Sequence, residues 1–286
     1  MTKKLSIVIV TYNSNDVIRE CLNSIETYND IGDSLEVIIV DNSPVFEVEH
    51  VVNELKLKID VRLIHNSDNG GFGQGNNIGV KSSNGELIFI LNADTILIEP
   101  VFKFMLKEFE DDKVTAAGFR LVDRKGKLNN SFALYPEYNY VYFFLPISFV
   151  NFAVINLGLL SKYIFPWGAD FVVRRKDFVK AGMFDESIFL CNEEPDLTKR
   201  LNVKKVKIFH KPIVHLEGHT TEIEALRFDQ WIISTRYYFS KYGLDFNRFI
   251  SNEVRISKLK IKVKKALGLD VKKLISYVNM IEDRVK

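Results

Sequence analysis

Cysteine is scarce in this chain: Cys21 and Cys191 are the only two in 286 residues. With no C-x-x-C pair and no second thiol close by, a disulfide framework and a cysteine-built zinc site are both excluded, and a reducing compartment is expected. Excess charge of one sign is missing too. The 39 Lys and Arg nearly cancel 37 Asp and Glu, leaving +2, so overall charge argues neither for nor against a nucleic-acid partner. A long apolar leader is also lacking. In MTKKLSIVIVTYNSND the apolar stretch covers only residues 5–10. That is too short for a secretory signal, has no small-residue cleavage site, and reads better as a buried parallel strand, so an unexported protein is expected. The dinucleotide fingerprint is incomplete. In NGGFGQGNNIG, residues 69–79, Gly71 and Gly73 fit G-x-G-x-x-G, but the third position is Asn76 and the stretch follows the third expected strand, not the first. These departures argue against a dehydrogenase.

What is present is a chain that is 47% hydrophobic and long enough for one large α/β domain, alone or with an appendage. Apolar runs at 5–10, 35–40, 61–65 and 87–91 read as strands, with a fifth at 114–119. Helical spacing covers 16–28, 45–57, 75–83 and 100–109, the last with Pro100 in its first turn. This alternation predicts a doubly wound sheet flanked by helices. Such sheets bind ligands beyond the carboxyl ends of their strands. Four polar or glycine-rich clusters fall there: Thr11-Tyr12-Asn13, Asp41-Asn42, the glycine stretch, and Asn92-Ala93-Asp94. Turns are polar in any case, but all four together predict one crevice holding a polar ligand.

Several side chains in these clusters carry chemistry. Asp94, at a strand end, is placed to hold Mg²⁺ or Mn²⁺ jointly with phosphate oxygens, or else to form an Asx turn opening the next element. Asp41 is placed to accept from a base N–H or a ribose hydroxyl, or to cap a helix. In FDESIFLCNEEPDLTKRL, the crowded Glu193, Glu194 and Asp196 suit a general base, because neighbouring carboxylates raise one another's pKa. They equally suit a helix N-terminus. His215, after an apolar run, is a possible metal ligand, with His219 a close competitor. Farther on, residues 141–160 (VYFFLPISFVNFAVINLGLL) carry no charge and reach transmembrane length. Pro146, Asn151 and Asn156, and the motifs on either side, favour a buried or groove-lining helical pair or an interfacial segment instead. The tail from Arg255 onward holds ten Lys and Arg against three Asp and Glu, with apolar residues at helical spacing. It reads as a basic amphipathic helix, either lying on anionic membrane or packed on its own domain. Its single aromatic, Tyr277, speaks against nucleic acid.

SIVIVTYN at 6–13, VIIVDN at 37–42, NGGFGQGNNIG at 69–79 and LNADT at 91–95 resemble the inverting family 2 glycosyltransferases. So do WGADFVVRR at 167–175, AGMFDESIFLCNEEPDL at 181–197 and IVHLEGHTT at 213–221. Within the family the resemblance is greatest to the bacterial rhamnosyltransferase branch, which builds cell-surface polysaccharide. It implies a GT-A fold with a doubly wound mixed sheet, over residues 1–245, and a helical tail over 246–286. Residues 1–120 would form the nucleotide-sugar half and 121–245 the acceptor and catalytic half. A dTDP- or UDP-sugar donor is implied, contacted by Thr11, Tyr12, Asn13, Asp41, Gly71, Asn76, Asn77, Asn92, Asp94 and Trp167. The glycine stretch would close over the nucleoside. A divalent metal, Mn²⁺ or Mg²⁺, would be held by Asp94, joined by His215. The acid at Glu194 would be the base of a single in-line displacement onto a lipid-linked or polymeric sugar acceptor. Peripheral contact with the inner membrane face is expected, and no nucleic acid. Three departures stand out. Asn92 replaces the first acid of Asp-x-Asp, Glu194 replaces the usual Asp, and Pro195 would hold Glu194 extended. Glu193 and Asp196 therefore stay as alternative bases. Asn92 and Glu194 also leave room for a degenerate carbohydrate- or nucleotide-binding protein of the same fold. A sugar-phosphate nucleotidyltransferase would need a basic glycine-rich loop after the first strand, where TYNSND stands.

Overall fold

The computed structural model describes residues 3–138, 147–216 and 224–285. Its main sheet has eight strands in the order β3-β2-β1-β4-β9-β6-β10-β5. Strands β1 (Leu5–Thr11), β2 (Leu35–Asp41), β3 (Asp60–His65) and β4 (Leu87–Leu91) run parallel. β9 (Asp170–Arg174) lies antiparallel between β4 and β6 (Val114–Val122), making the sheet mixed. β10 (Lys205–His215) runs parallel to β6 and pairs antiparallel with the short β5 (Thr95–Leu97). A separate ribbon joins β7 (Phe132–Leu134) to β8 (Ile164–Pro166). β2 and β4 are buried at every position and β1 nearly so, because helices cover both faces; this is why they read as unbroken apolar runs.

Helices α1 (Asn15–Thr27), α2 (Val48–Leu55) and α4 (Phe102–Glu108) pack their apolar stripes against one sheet face. α3 (Gly71–Lys81) and α6 (Arg175–Lys180) cover the other, with Val80 and Phe178 against Val8, Ile90 and Val173. α7 (Glu193–Arg200) adds Leu197 to that layer. Two boundaries differ from the sequence reading. α4 begins at Phe102, so Pro100 lies before the helix. α3 begins at Gly71, itself left-handed, four residues earlier than its apolar spacing suggested, because Gly73 and Gly75 lie inside its helical turns.

The uncharged segment is described only from residue 147, its first six residues lying outside the described residues. There α5 (Ile147–Ile155) buries Val150, Ala153 and Val154 and leaves Phe149 and Phe152 exposed. Among the described residues no helix is long and apolar enough to cross a membrane. At the C-terminus α8 (Glu224–Lys241) is followed by the hairpin of α9 (Phe246–Ala266) and α10 (Lys272–Arg284). Phe228, Ile232, Tyr238 and Phe239 of α8 form one buried cluster with Phe246, Ile250 and Ile281 of the hairpin.

Candidate donor and catalytic cleft

The parallel register sets Thr11 beside Asp41 at the carboxyl ends of β1 and β2. Asp41 Oδ1 accepts hydrogen bonds from Thr11 Oγ1 at 2.8 Å, Ser43 Oγ at 2.6 Å and the Ser43 N–H at 3.2 Å. Its Oδ2 is buried without a hydrogen-bond partner among the described residues. A buried carboxylate oxygen left over in this way is costly unless a ligand donor meets it. Thr11 is buried and braces Asp41. Tyr12 is 46% exposed beside it. Asn13 takes a left-handed conformation (φ 49°) and donates its N–H to Ser43 Oγ at 2.8 Å. The His65 ring stacks on Phe46 and is hydrogen-bonded to the Ser43 carbonyl at 2.9 Å. Asn66 Nδ2 donates to Asn42 Oδ1 and Gln74 Oε1. Ser43, Asn66 and Gln74 are thus members of the strand-end network that the sequence reading passed over.

The glycine stretch serves packing. A Cβ on Gly79 would lie 2.4 Å from Val8, one on Gly75 2.9 Å from Val10, and one on Gly73 3.2 Å from Phe184. At Gly71 (φ 87°) it would meet the Phe189 carbonyl oxygen at 2.1 Å, and the next residue, Phe72, donates its N–H to that oxygen at 3.0 Å. The missing side chains let α3 press on β1 and on the segment leading to Glu193. Asn77 is likewise taken up: its Oδ1 accepts the Phe184 N–H at 3.0 Å, and its Nδ2 donates to the Phe184 carbonyl and to Glu186. Asn76 Nδ2 donates to the Phe72 carbonyl at 2.9 Å, while its Oδ1 is buried with no hydrogen-bond partner among the described residues.

Asp94 and His215 come together because β5 pairs with the end of β10, His215 opposite Thr95. His215 Nε2 lies 3.4 Å from Asp94 Oδ1. Burial pushes the Asp94 carboxyl up, but the His215 hydrogen bond and charge, with the positive charge of Arg227, outweigh it and hold Asp94 below the usual carboxylate range. Asn92 fixes the turn through its backbone. Its N–H donates to the Ala169 carbonyl at 2.9 Å and its carbonyl accepts from Thr95 Oγ1 at 2.7 Å.

The three acids of the NEEPD stretch separate into different environments. Cys191 and Asn192 have φ of 70° and 72°, a left-handed pair that turns the chain into α7. Glu194 is the second residue of that helix and Pro195 the third. The expected extended geometry at Glu194 is therefore wrong, since a first-turn proline lacks only an N–H that has no helical partner anyway. Glu193 is buried against Gly73, its Oε1 without a hydrogen-bond partner among the described residues, and burial together with the Glu194 charge pushes its pKa well above the normal value. Asp196 is fully buried. Its Oδ2 accepts from Arg200 at 2.7 and 2.9 Å, and its Oδ1 pairs with Lys241 at 2.6 Å and accepts from Tyr242 at 2.9 Å. Both oxygens are engaged in a structural ion-pair hub. Glu194 is half-buried, and burial pushes its pKa up to about 7 against the opposing pull of backbone N–H groups, Gly168 among them. A Cβ on Gly168 would lie 1.9 Å from Glu194 Oε1. Trp167, next in the chain, is 38% exposed.

Residues 6–180 match the family Glycosyl transferase family 2. The chain belongs to that family. An uncharacterized glycosyltransferase of Rickettsia typhi is 26% identical over 224 residues, covering 76% of this chain and 65% of its own length. The poly(ribitol-phosphate) beta-N-acetylglucosaminyltransferase TarS of Staphylococcus aureus is 26% identical over 101 residues, 35% of this chain and 18% of the relative. The chain thus spans at most about two thirds of these relatives. Among solved structures, the mannosyltransferase PcManGT from Pyrobaculum calidifontis, in complex with GDP-Man and Mn²⁺, superposes with a TM-score of 0.64 at 14% identity, over 99% of this chain and 85% of that one. TarS gives 0.54 at 16% identity, over 83% and 44%. These likenesses confirm the GT-A architecture read from the motifs.

In this family 2 chain the acidic cleft residues fit a shared cation. Asp94 offers one carboxylate held ionised and His215 one imidazole. Among the described residues no group of three or more His, Cys, Asp and Glu gathers to cage a metal alone. Two protein donors suit a Mn²⁺ or Mg²⁺ that takes its remaining oxygens from phosphate and water.

Proposed function

We propose that the protein is an inverting glycosyltransferase. It moves a sugar, rhamnose by the motif resemblance, from a dTDP- or UDP-type donor to a hydroxyl of a lipid-linked or polymeric acceptor. The observation that carries this reading is Glu194. It is a half-buried carboxylate with its pKa pushed up to about 7, set against Gly168, the residue after the exposed Trp167. A base is most effective when its pKa lies near the working pH. Support for a nucleotide-sugar donor comes from Asp41, whose unmatched Oδ2 suits a base N–H or ribose hydroxyl, and from the solved relatives. One of those holds GDP-Man and Mn²⁺, and TarS has been solved with UDP-GlcNAc.

In this reading Asp41, braced by Thr11 and Ser43, orients the nucleoside. Asp94 and His215 would hold a divalent metal, which when bound neutralises charge on the departing diphosphate. Arg227, close enough to lower the Asp94 pKa, adds positive charge on the same side. Glu194 accepts the proton of the acceptor hydroxyl, and that oxygen attacks the anomeric carbon from the face opposite the leaving diphosphate. Glu193 is enclosed, and burial with the Glu194 charge raises its pKa, which disfavours a second negative charge beside Glu194.

A thermal-shift panel of UDP, dTDP, GDP and ADP, each with and without Mn²⁺ or Mg²⁺, tests the donor site. One nucleotide is expected to raise Tm only with metal, and Asp94→Ala to abolish the increment. Donor-sugar hydrolysis then tests turnover, with NMR of the transferred anomeric centre reading inversion. Nucleotide binding without turnover on any donor sugar would instead support the degenerate binding protein that Asn92 allows.

A further inference from the structure

We propose that the free end of the α9–α10 hairpin is a docking surface for an anionic lipid membrane. The base of the hairpin is packed: Ile250, Val278 and Ile281 are buried. Its far end is not. Residues 262–270 are exposed without interruption, and they include Val263, Leu267 and Leu269, which are 52%, 68% and 52% exposed. Leu259, one turn earlier, is 44% exposed. Leu259, Val263 and Leu267 recur every fourth residue and so form one stripe along α9. Lys262 flanks that stripe on one side and Lys260 and Lys264 on the other, with Lys265 farther round the same exposed turn and Lys272 and Lys273 just past it. No acidic residue falls between Glu253 and Asp270. No ion pair engages Lys262, Lys264, Lys265, Lys272 or Lys273 among the described residues; the hairpin's paired lysine, Lys258, reaches Glu282.

A helix end solvated on every side gains nothing within the fold from carrying leucines. An apolar stripe flanked on both sides by lysines matches a bilayer surface, where the stripe enters the headgroup boundary and the ammonium groups stay at the phosphates. The other exposed apolar helix, α5, has Phe149 and Phe152 outward but no basic residue, so the charge singles out the hairpin. The surface shares no residue with the cleft. Its test reads binding and not turnover, and it stands apart from the transferase reading.

The full chain is sedimented with phosphatidylcholine vesicles lacking or containing phosphatidylglycerol. Binding is expected only to the anionic vesicles and should weaken with salt. The triple variants Lys262→Glu/Lys264→Glu/Lys265→Glu and Leu259→Ser/Val263→Ser/Leu267→Ser should each lower the bound fraction about tenfold or more. Both keep the parental thermal melt, because the changed side chains are exposed. Equal binding to neutral vesicles, no binding to either kind, or binding unaffected by both variants overturns the proposal. A hairpin-dependent dimer in light scattering, with no vesicle binding, gives the surface to a second copy of the chain and overturns it as well.

Discussion

Glu193 and Glu194 are adjacent in sequence, yet the fold treats them differently: one is enclosed against Gly73, the other is half-buried beside Gly168. If Glu194 is the base, kcat/KM should rise about tenfold per unit as pH increases toward 7 and then level, because only the carboxylate accepts the proton. Glu194→Gln should remove that limb and cost about 10²–10⁴-fold in kcat. A rate profile from Glu194→Gln that keeps the limb would assign the base elsewhere. Glu193→Gln makes the opposite case. The Glu193 pKa is raised in the folded state, so its protonated form favours folding. That stability is complete below the unfolded value and is lost as pH rises through the folded value. Glu193→Gln removes the ionisation and should raise Tm at pH 8 more than at pH 5, while leaving most of the activity. A variant as inactive as Glu194→Gln at every pH would reverse the assignment.

At the scale of elements, unbroken apolar runs were enough to place β1, β2 and β4, since buried parallel strands have no other composition, while the half-exposed edge strand β3 showed only as a shorter run. These runs also identified the strand ends where Asp41 and Asp94 stand. Three things stayed hidden because they depend on contacts distant in sequence. β9 inserts antiparallel between β4 and β6, a pairing that no local pattern encodes. Asp196 is neutralised by Arg200, which local spacing could suggest, and by Lys241, which it could not. The glycines of α3 also form a contact surface for β1 and Phe189, which the sequence does not announce. That last finding is testable. Gly71→Ala must adopt φ 87° with its Cβ against the Phe189 carbonyl. The backbone conformation alone costs about 1–3 kcal/mol. Tm should fall by several degrees, and kcat should fall as well, because Phe189 leads directly into the turn before Glu193. Unchanged stability and activity would show that the segment relaxes freely and that α3 does not position the acids.

Across the whole molecule, α8 links the cleft to the C-terminal hairpin. It grips the acid segment through Ser234 Oγ on the Leu190 carbonyl at 2.7 Å, Thr235 on Asn192 at 3.0 Å, and Lys241 and Tyr242 on Asp196. On its other side it buries Phe228, Ile232 and Phe239 with residues of the hairpin. Burying such side chains is worth about 1.5–3 kcal/mol each, so exposing these three is a large part of the whole margin of an ordinary domain, about 5–15 kcal/mol. Ending the chain after Asp245 should therefore yield a protein of sharply lower Tm and low solubility. Catalysis should suffer through the loosened acid segment, even though no cleft residue has been touched. Replacing only residues 260–270 with a short polar turn leaves Phe246, Ile250 and Ile281 in place, and should keep both the melt and the donor-hydrolysis rate in solution. If the chain ended at Asp245 melts like the parent, the hairpin is an appendage; if the turn replacement also collapses, the exposed end contributes to the fold in a way its solvation does not suggest.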